Sequence, residues 1–181
     1  MRGYFAMGVE GSSKPHNLGN LVRSSHSFGA SFFFTVAPVV DVRSVRQTDT
    51  SDAFDHLPFY NFETIDDLKL PRTCALVGIE LMEDSVELPS FRHPLRAAYI
   101  LGPERGSLSE AVVEKCDHII KIPMKFCVNV GVAGAIVMYD RLISLGRFPA
   151  RGVKAGGPSE FLPEHVQGGQ VIRSGKEKTS D

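Results

Sequence analysis

Four side chains in this sequence stand where chemistry is commonly done. Glu104 sits in the turn Leu101-Gly102-Pro103-Glu104, immediately behind an apolar run. Asn129 opens the longest apolar helical stretch, and Asn17 and Arg23 share the segment His16-Asn17-Leu18-Gly19-Asn20-Leu21-Val22-Arg23. The segments that carry them read as junctions between the C-terminal end of a strand and the N-terminus of a helix, the edge at which open α/β sheets bind ligands. A carboxylate there complements the helix dipole, and an asparagine there caps the first turn. An arginine is almost always protonated, which makes it a fixed positive charge and a poor base. Cys127, two residues before Asn129, has no base nearby in the sequence and reads as a small residue, not a nucleophile.

Several chemistries are disfavoured by the same inspection. No GxGxxG follows a strand, and Gly152, Gly156 and Gly157 have the wrong spacing for a dinucleotide loop. GxxxxGK[ST], GxSxG and HExxH do not occur. Cys74, Cys116 and Cys127 are far apart, without CxxC or a Cys/His spacing fit for zinc, and no metal site is expected.

The elements that must carry these residues are legible from periodicity. Apolar runs at Tyr4 to Val9, Ser31 to Val36, Cys74 to Glu80, Arg96 to Leu101 and His118 to Ile122 read as buried strands. Helical spacing appears at Asn17 to Phe28, Leu108 to Cys116 and Asn129 to Leu145. Val42 to Leu57 reads as a polar loop with a helical turn, Thr64 as the cap of a short helix holding Asp66, Asp67 and Leu68, and Leu88 to Pro94 as a connector. Strands alternating with helices predict an α/β domain, with a mostly parallel sheet and helices on both faces. Residues 1–149 are expected to form that domain. Residues 150–181, rich in Gly, Pro and charge, are expected to form a flexible tail.

The chain has 181 residues, 43% hydrophobic and 23% charged, with a net charge of −1, so any nucleic-acid contact must come from a local basic face. Lys14 to Arg46 is such a face, with Lys14, Arg23, Arg43 and Arg46 against Asp41 alone. Nothing resembles a signal peptide or a membrane span, and reduced thiols suit the cytoplasm, which is the expected location.

In order and spacing, three segments resemble the motifs of the SpoU/TrmH family of RNA ribose 2′-O-methyltransferases, in the SPOUT superfamily. The first is Asn17-x-Gly19-x-x-x-Arg23, continuing to Phe28-Gly29. The second runs from Leu101-Gly102-Pro103-Glu104 through Gly106-Ser107-Leu108-Ser109 to Ile122-Pro123-Met124, and the third is Asn129-Val130-x-Val132-Ala133. The resemblance covers about residues 4 to 145. Three departures stand out: Cys127 and Gly131 where the family favours Ser, and Ser107 inserted before the Leu-Ser pair.

The resemblance implies a sheet whose C-terminal part is threaded into a trefoil knot, a homodimer, and S-adenosylmethionine as cofactor. It implies cofactor contacts from Leu101, Gly102, Glu104, Gly106, Ile122, Met124, Val128 and Asn129. It also implies catalytic roles for Arg23 (supplied by the partner chain), Asn17, Glu104 and Asn129. RNA is the expected partner, tRNA favoured over rRNA, held by Lys14, Arg23, Arg43 and Arg46, with neither DNA nor membrane expected. Two other readings stay open: a non-catalytic RNA-binding or assembly factor on the same fold, and a methyltransferase acting on a base atom.

Overall fold

The computed structural model describes residues 3–40, 45 and 53–158. Arg43, Arg46 and residues 159–181 of the expected tail lie outside the described residues. The chain divides into two compact units, Met1–Gly146 and Arg147–Asp181.

The first unit is built in the order β1 (Tyr4–Glu10), α1 (Pro15–Ser27), β2 (Phe32–Val36), α2 (Ala53–His56), β3 (Phe59–Phe62), β4 (Ala75–Ile79), β5 (Val86–Glu87), β6 (Arg96–Leu101), α3 (Glu110–Lys115), β7 (His118–Lys121) and α4 (Val130–Leu145). Short 3-10 turns lie at Ile65–Asp67 and Leu88–Ser90. Among the described residues, seven strands form one sheet in the order β3-β2-β1-β6-β4-β7-β5. Every pairing is parallel.

Parallel strands buried on both faces need apolar residues at successive positions, and the two hydrophobic clusters sort by alternation. Met7, Val9, Phe33, Val77, Tyr99 and Leu101 face one side, beneath Leu18 and Leu21 of α1 and Val137 and Met138 of α4. Ala6, Phe34, Leu76, Ala98 and Ile100 face the other, against Leu108 and Val112 at α3. Helices therefore cover both faces. α1 and α4 pack closely because Gly134 has no side chain; a Cβ there would stand 2.3 Å from Leu21 Cδ1.

Two strands escape sequence reading. Phe59–Phe62 is half polar and largely exposed, and becomes strand through pairing with β2, where Thr35 Oγ1 donates to Asn61 Oδ1 at 2.5 Å. Val86–Glu87 is two exposed residues added beside β7. The turn at Thr64 is a 3-10 helix tied by Asp67, whose carboxylate accepts from both the Thr64 amide and the Thr64 hydroxyl.

A buried polar knot anchors the C-terminal half of α4 at the end of the sheet where β1 and β6 begin. The Arg141 guanidinium, 5% exposed, donates to the carbonyls of Pro94 (2.6 Å), Leu95 (2.9 Å) and Tyr4 (3.4 Å) and to the Tyr99 hydroxyl (3.1 Å). His93 bridges Tyr99 Oη (2.6 Å) and Asp140 Oδ2 (2.9 Å). The Asp140 carboxylate can only accept, so Nε2 of His93 carries the hydrogen and the neutral Nδ1 accepts from the Tyr99 hydroxyl. Burial pushes the Tyr99 phenol up to about 12, so it remains a donor. Burial, and then the Arg141 charge, hold the His93 imidazole below its ordinary 6.5 against the pull of Asp140.

Because the folded value is depressed, the unfolded chain binds the extra proton first. His93 therefore contributes stability above pH 6.5 that is lost as pH falls from 6.5 towards the lower folded value. Urea midpoints measured at pH 8, 6.5 and 5.5 should fall across the last interval, and fall less in His93→Gln.

Candidate functional site

β1, β4 and β6 end level with one another, since Val9 and Ile79 both pair with Leu101. The segments that follow β4, β6 and β7 therefore open at one edge of the sheet, together with the N-termini of α1 and α4. They surround a cavity of about 420 Å³. That volume lies in the range of ordinary small-molecule sites. Ile79, Leu101, Ile122, Met124, Val128 and Ala133 give it an apolar side; Lys14, Asn17, Glu80, Glu104, Lys121 and Asn129 give it polar groups.

Glu104 is held by five donors from the other side of the sheet edge. Its carboxylate accepts from the Ser13 amide and hydroxyl (3.0 Å each), the Lys14 amide (3.3 Å), the Ser12 hydroxyl (3.4 Å) and Asn17 Nδ2 (3.4 Å). Lys14, at the N-cap of α1, makes no side-chain cap, so Glu104 serves the start of that helix in its place. Partial burial would raise this carboxyl; the hydrogen bonds from the Ser13 amide, the Ser13 hydroxyl and Asn17 more than offset it, and the group is held below its usual 4.5.

Two more carboxylates bind backbone at the same edge. Glu80 accepts from the Leu81 amide (2.8 Å) and the Leu108 amide (2.7 Å), and Glu10 accepts from the Ser109 amide (2.8 Å). Gly102 is required beside them: a Cβ would stand 3.0 Å from the Leu108 nitrogen and 3.5 Å from Glu80 Oε2. The close approach at Gly102 is thus made by the chain's own backbone. Gly106, at φ +128°, completes the turn in a conformation that favours glycine.

Asn17 and Asn129 join the two helices. Asn129 Nδ2 donates to Asn17 Oδ1 at 2.8 Å, and Asn129 Oδ1 caps α4 by accepting from the Gly131 amide at 2.8 Å. A continuous polar chain therefore runs from Glu104 through Asn17 and Asn129 to the first turn of α4. Asn129→Ala removes the cap, worth about 1 kcal/mol, and leaves the buried Asn17 carbonyl without its donor, worth about 1 kcal/mol more. A drop of about 2 kcal/mol in urea unfolding is expected, against little change for Ser144→Ala on the exposed end of the same helix.

All eight residues expected at the cofactor, Leu101, Gly102, Glu104, Gly106, Ile122, Met124, Val128 and Asn129, line this one cavity, as do Asn17 and Lys14. Arg23 does not; it lies exposed on α1, outside the lining. Cys127 lines the cavity as an exposed free thiol. Sequence reading missed Ile79, Glu80 and Lys121. A signal for Glu80 existed: like Glu104, it is a carboxylate just past a buried strand. Lys121 gave none, since its ammonium is drawn across the edge by the carbonyls of Met82 and Glu83, 3.4 Å each.

Comparison with known proteins gives this geometry a family. The model of the SpoU rRNA Methylase family matches residues 5–139. A Staphylococcus aureus protein assigned to the TrmH family of tRNA/rRNA methyltransferases is 29% identical over 144 residues, covering 73% of this chain and 56% of that protein. The chain thus spans little more than half the length of that relative. Among solved structures, an rRNA methyltransferase from Sinorhizobium meliloti superposes with a TM-score of 0.70 at 18% identity, covering 81% of this chain and 60% of that one. The SpoU methyltransferase AviRb from Streptomyces viridochromogenes, in complex with AdoMet, gives 0.69 at 21% identity, covering 79% and 61%. A structure described as giving insight into the 2-OH methylation of C/U34 on tRNA gives 0.67 at 20% identity, covering 80% and 98%. With the family model matched from β1 into α4, and the sheet and the cavity edge arranged as described, this chain belongs to the SpoU rRNA Methylase family.

Proposed function

We propose that this chain is an S-adenosylmethionine-dependent RNA methyltransferase that acts on a ribose 2′-hydroxyl, with tRNA as the favoured substrate. The observation that carries the proposal is the convergence of all three motif segments on one cavity, polar at one side and apolar at the other. The AdoMet complex of AviRb supports the cofactor, and the neighbour concerned with C/U34 of tRNA, matched over 98% of its length, supports the substrate.

The cavity suits the cofactor. Ile122, Met124 and Val128 offer apolar contact to an adenine ring, and the backbone of the 101–106 turn can read its edge. When bound, S-adenosylmethionine supplies a methyl group already activated by the sulfonium charge. The chain must then align the 2′-hydroxyl and ease the loss of its proton. Glu104, Asn17 and Asn129 hold the walls of the cavity in a fixed arrangement, so little reorganisation is needed when the substrate enters. Lys14 offers a cation at the mouth for a phosphate. Arg23 lies outside the cavity of its own chain; in our reading it reaches the partner's cavity and lowers the hydroxyl's pKa by its charge.

That reading needs a homodimer, and α4 offers a surface for one. Val132, Tyr139, Leu142 and Leu145 are apolar and exposed along α4, and Phe126 beside it is 84% exposed. The trefoil knot and a cytoplasmic location belong to the same proposal.

The test is incubation of the purified protein with methyl-labelled S-adenosylmethionine and RNA lacking the modification, followed by nuclease digestion. Label recovered as 2′-O-methylnucleotide in tRNA is the expected result. Label on a base, or in rRNA alone, would replace the corresponding part of the proposal. Failure to bind the cofactor at all would favour the non-catalytic RNA-binding factor.

A further inference from the structure

The unit that begins at Arg147 carries an unbroken positive run. From Arg141 to Ser159 there is no acidic residue, and Arg147, Arg151 and Lys154 all project into solvent. None of the three forms a salt bridge among the described residues. Phe148 is 56% exposed and Val153 wholly so. The loop closes on itself at Gly152, where a Cβ would stand 2.9 Å from the Gly157 carbonyl oxygen. It forms an open hollow of about 390 Å³ whose charged lining is Arg151 and Lys154. At Gly156 and Gly157 nothing lies within 4 Å of the position a Cβ would take.

The rest of the chain makes this run significant. Residues 1–146 hold 14 Lys and Arg against 17 Asp and Glu, a net charge of −3. A unit of that net charge has few cations to spare for a polyanion beyond Lys14 and Arg23, and association with RNA is driven largely by cation–phosphate contacts. Arg147, Arg151 and Lys154 add three charges with no acid among them, next to an exposed aromatic ring of the kind on which unpaired bases stack.

We propose that the 147–158 loop is an RNA-docking element that grips the phosphate backbone, separate from the residues of the cavity. The inference rests on the RNA methyltransferase reading and extends it. The loop supplies sequence-independent affinity, while the cavity selects the reacting nucleotide. Phosphates are received by Arg151 and Lys154 in the hollow.

The experiment uses the full chain and the triple variant Arg147→Gln/Arg151→Gln/Lys154→Gln. Binding to a fluorescein-labelled, unmodified tRNA transcript is titrated at several KCl concentrations, and S-adenosylmethionine binding is measured by calorimetry. Loss of three phosphate contacts should flatten the slope of log affinity against log salt by about 2–3 and weaken binding about 100-fold at 0.1 M salt. Cofactor affinity should remain unchanged, showing that the fold and cavity are intact. An unchanged slope with intact cofactor binding overturns the inference and leaves the proposed function standing. A wild-type chain that binds neither cofactor nor RNA overturns both. Loss of binding to phosphatidylglycerol vesicles in the variant, with RNA affinity equal in both proteins, overturns the inference by assigning the loop to a membrane surface.

Discussion

Arg141→Ala should lower the free energy of unfolding by about 3–5 kcal/mol, the largest effect expected of any single substitution here. The guanidinium is buried and donates to three backbone carbonyls and the Tyr99 hydroxyl. It also lies over the rings of Phe5 (5.3 Å) and Tyr99 (5.8 Å). Truncation leaves those carbonyls without their donor, each costing about 1–3 kcal/mol if water cannot reach it, and opens a cavity against two aromatic rings. Arg141→Lys should recover only part of the loss, since an ammonium cannot span Pro94, Leu95 and Tyr99 with one planar fork. Denaturant unfolding followed by circular dichroism decides the matter; a loss under 1 kcal/mol for the alanine variant would mean that the guanidinium is not the anchor of α4.

Glu104→Ala should abolish the proposed methyl transfer, with a loss of about 2 kcal/mol in stability. The substitution removes the acceptor for the Ser13 and Lys14 amides at the start of α1 and frees Asn17, which in turn holds Asn129. Glu104→Gln keeps one acceptor oxygen but turns an amide NH2 towards donors, so it should rescue part of the stability and little of the activity. The carboxyl is held below its usual 4.5. Its contribution is therefore complete above that value and is lost as pH falls through the lower folded one. Acid unfolding below pH 4.5 should be shallower in Glu104→Gln than in the native chain, once the lower starting stability is allowed for. Full transfer activity in Glu104→Ala would remove this residue from the working site.

Residue patterns along the chain carry much of this picture. Five buried strands and three principal helices follow from apolar runs and 3.6-residue spacing, because a parallel sheet buried on both faces requires continuous apolar sequence. The eight expected cofactor residues also fall together, since they lie at the end of β6 and in the segments that follow β6 and β7, in a fold that aligns the strand ends. Sequence could locate Glu104 but not its partners: Ser13 and Asn17 are 91 and 87 residues away, and Asn129 lies 112 residues from Asn17. Similarly, a lone Arg141 in an apolar helix shows no local reason to be buried; the reason is a carbonyl of Tyr4, 137 residues earlier, and the connector at Pro94 and Leu95.

β3 is strand only because β2 pairs with it, and Glu80 is a site residue only because β4 ends beside β6. Local spacing thus determined the elements, their order and the kind of edge at which a ligand would sit. The tertiary structure alone decided which donors satisfy each carboxylate and which charges go into the core. Those pairings depend on sheet order and strand register, which bring distant residues together and which no short-range periodicity encodes.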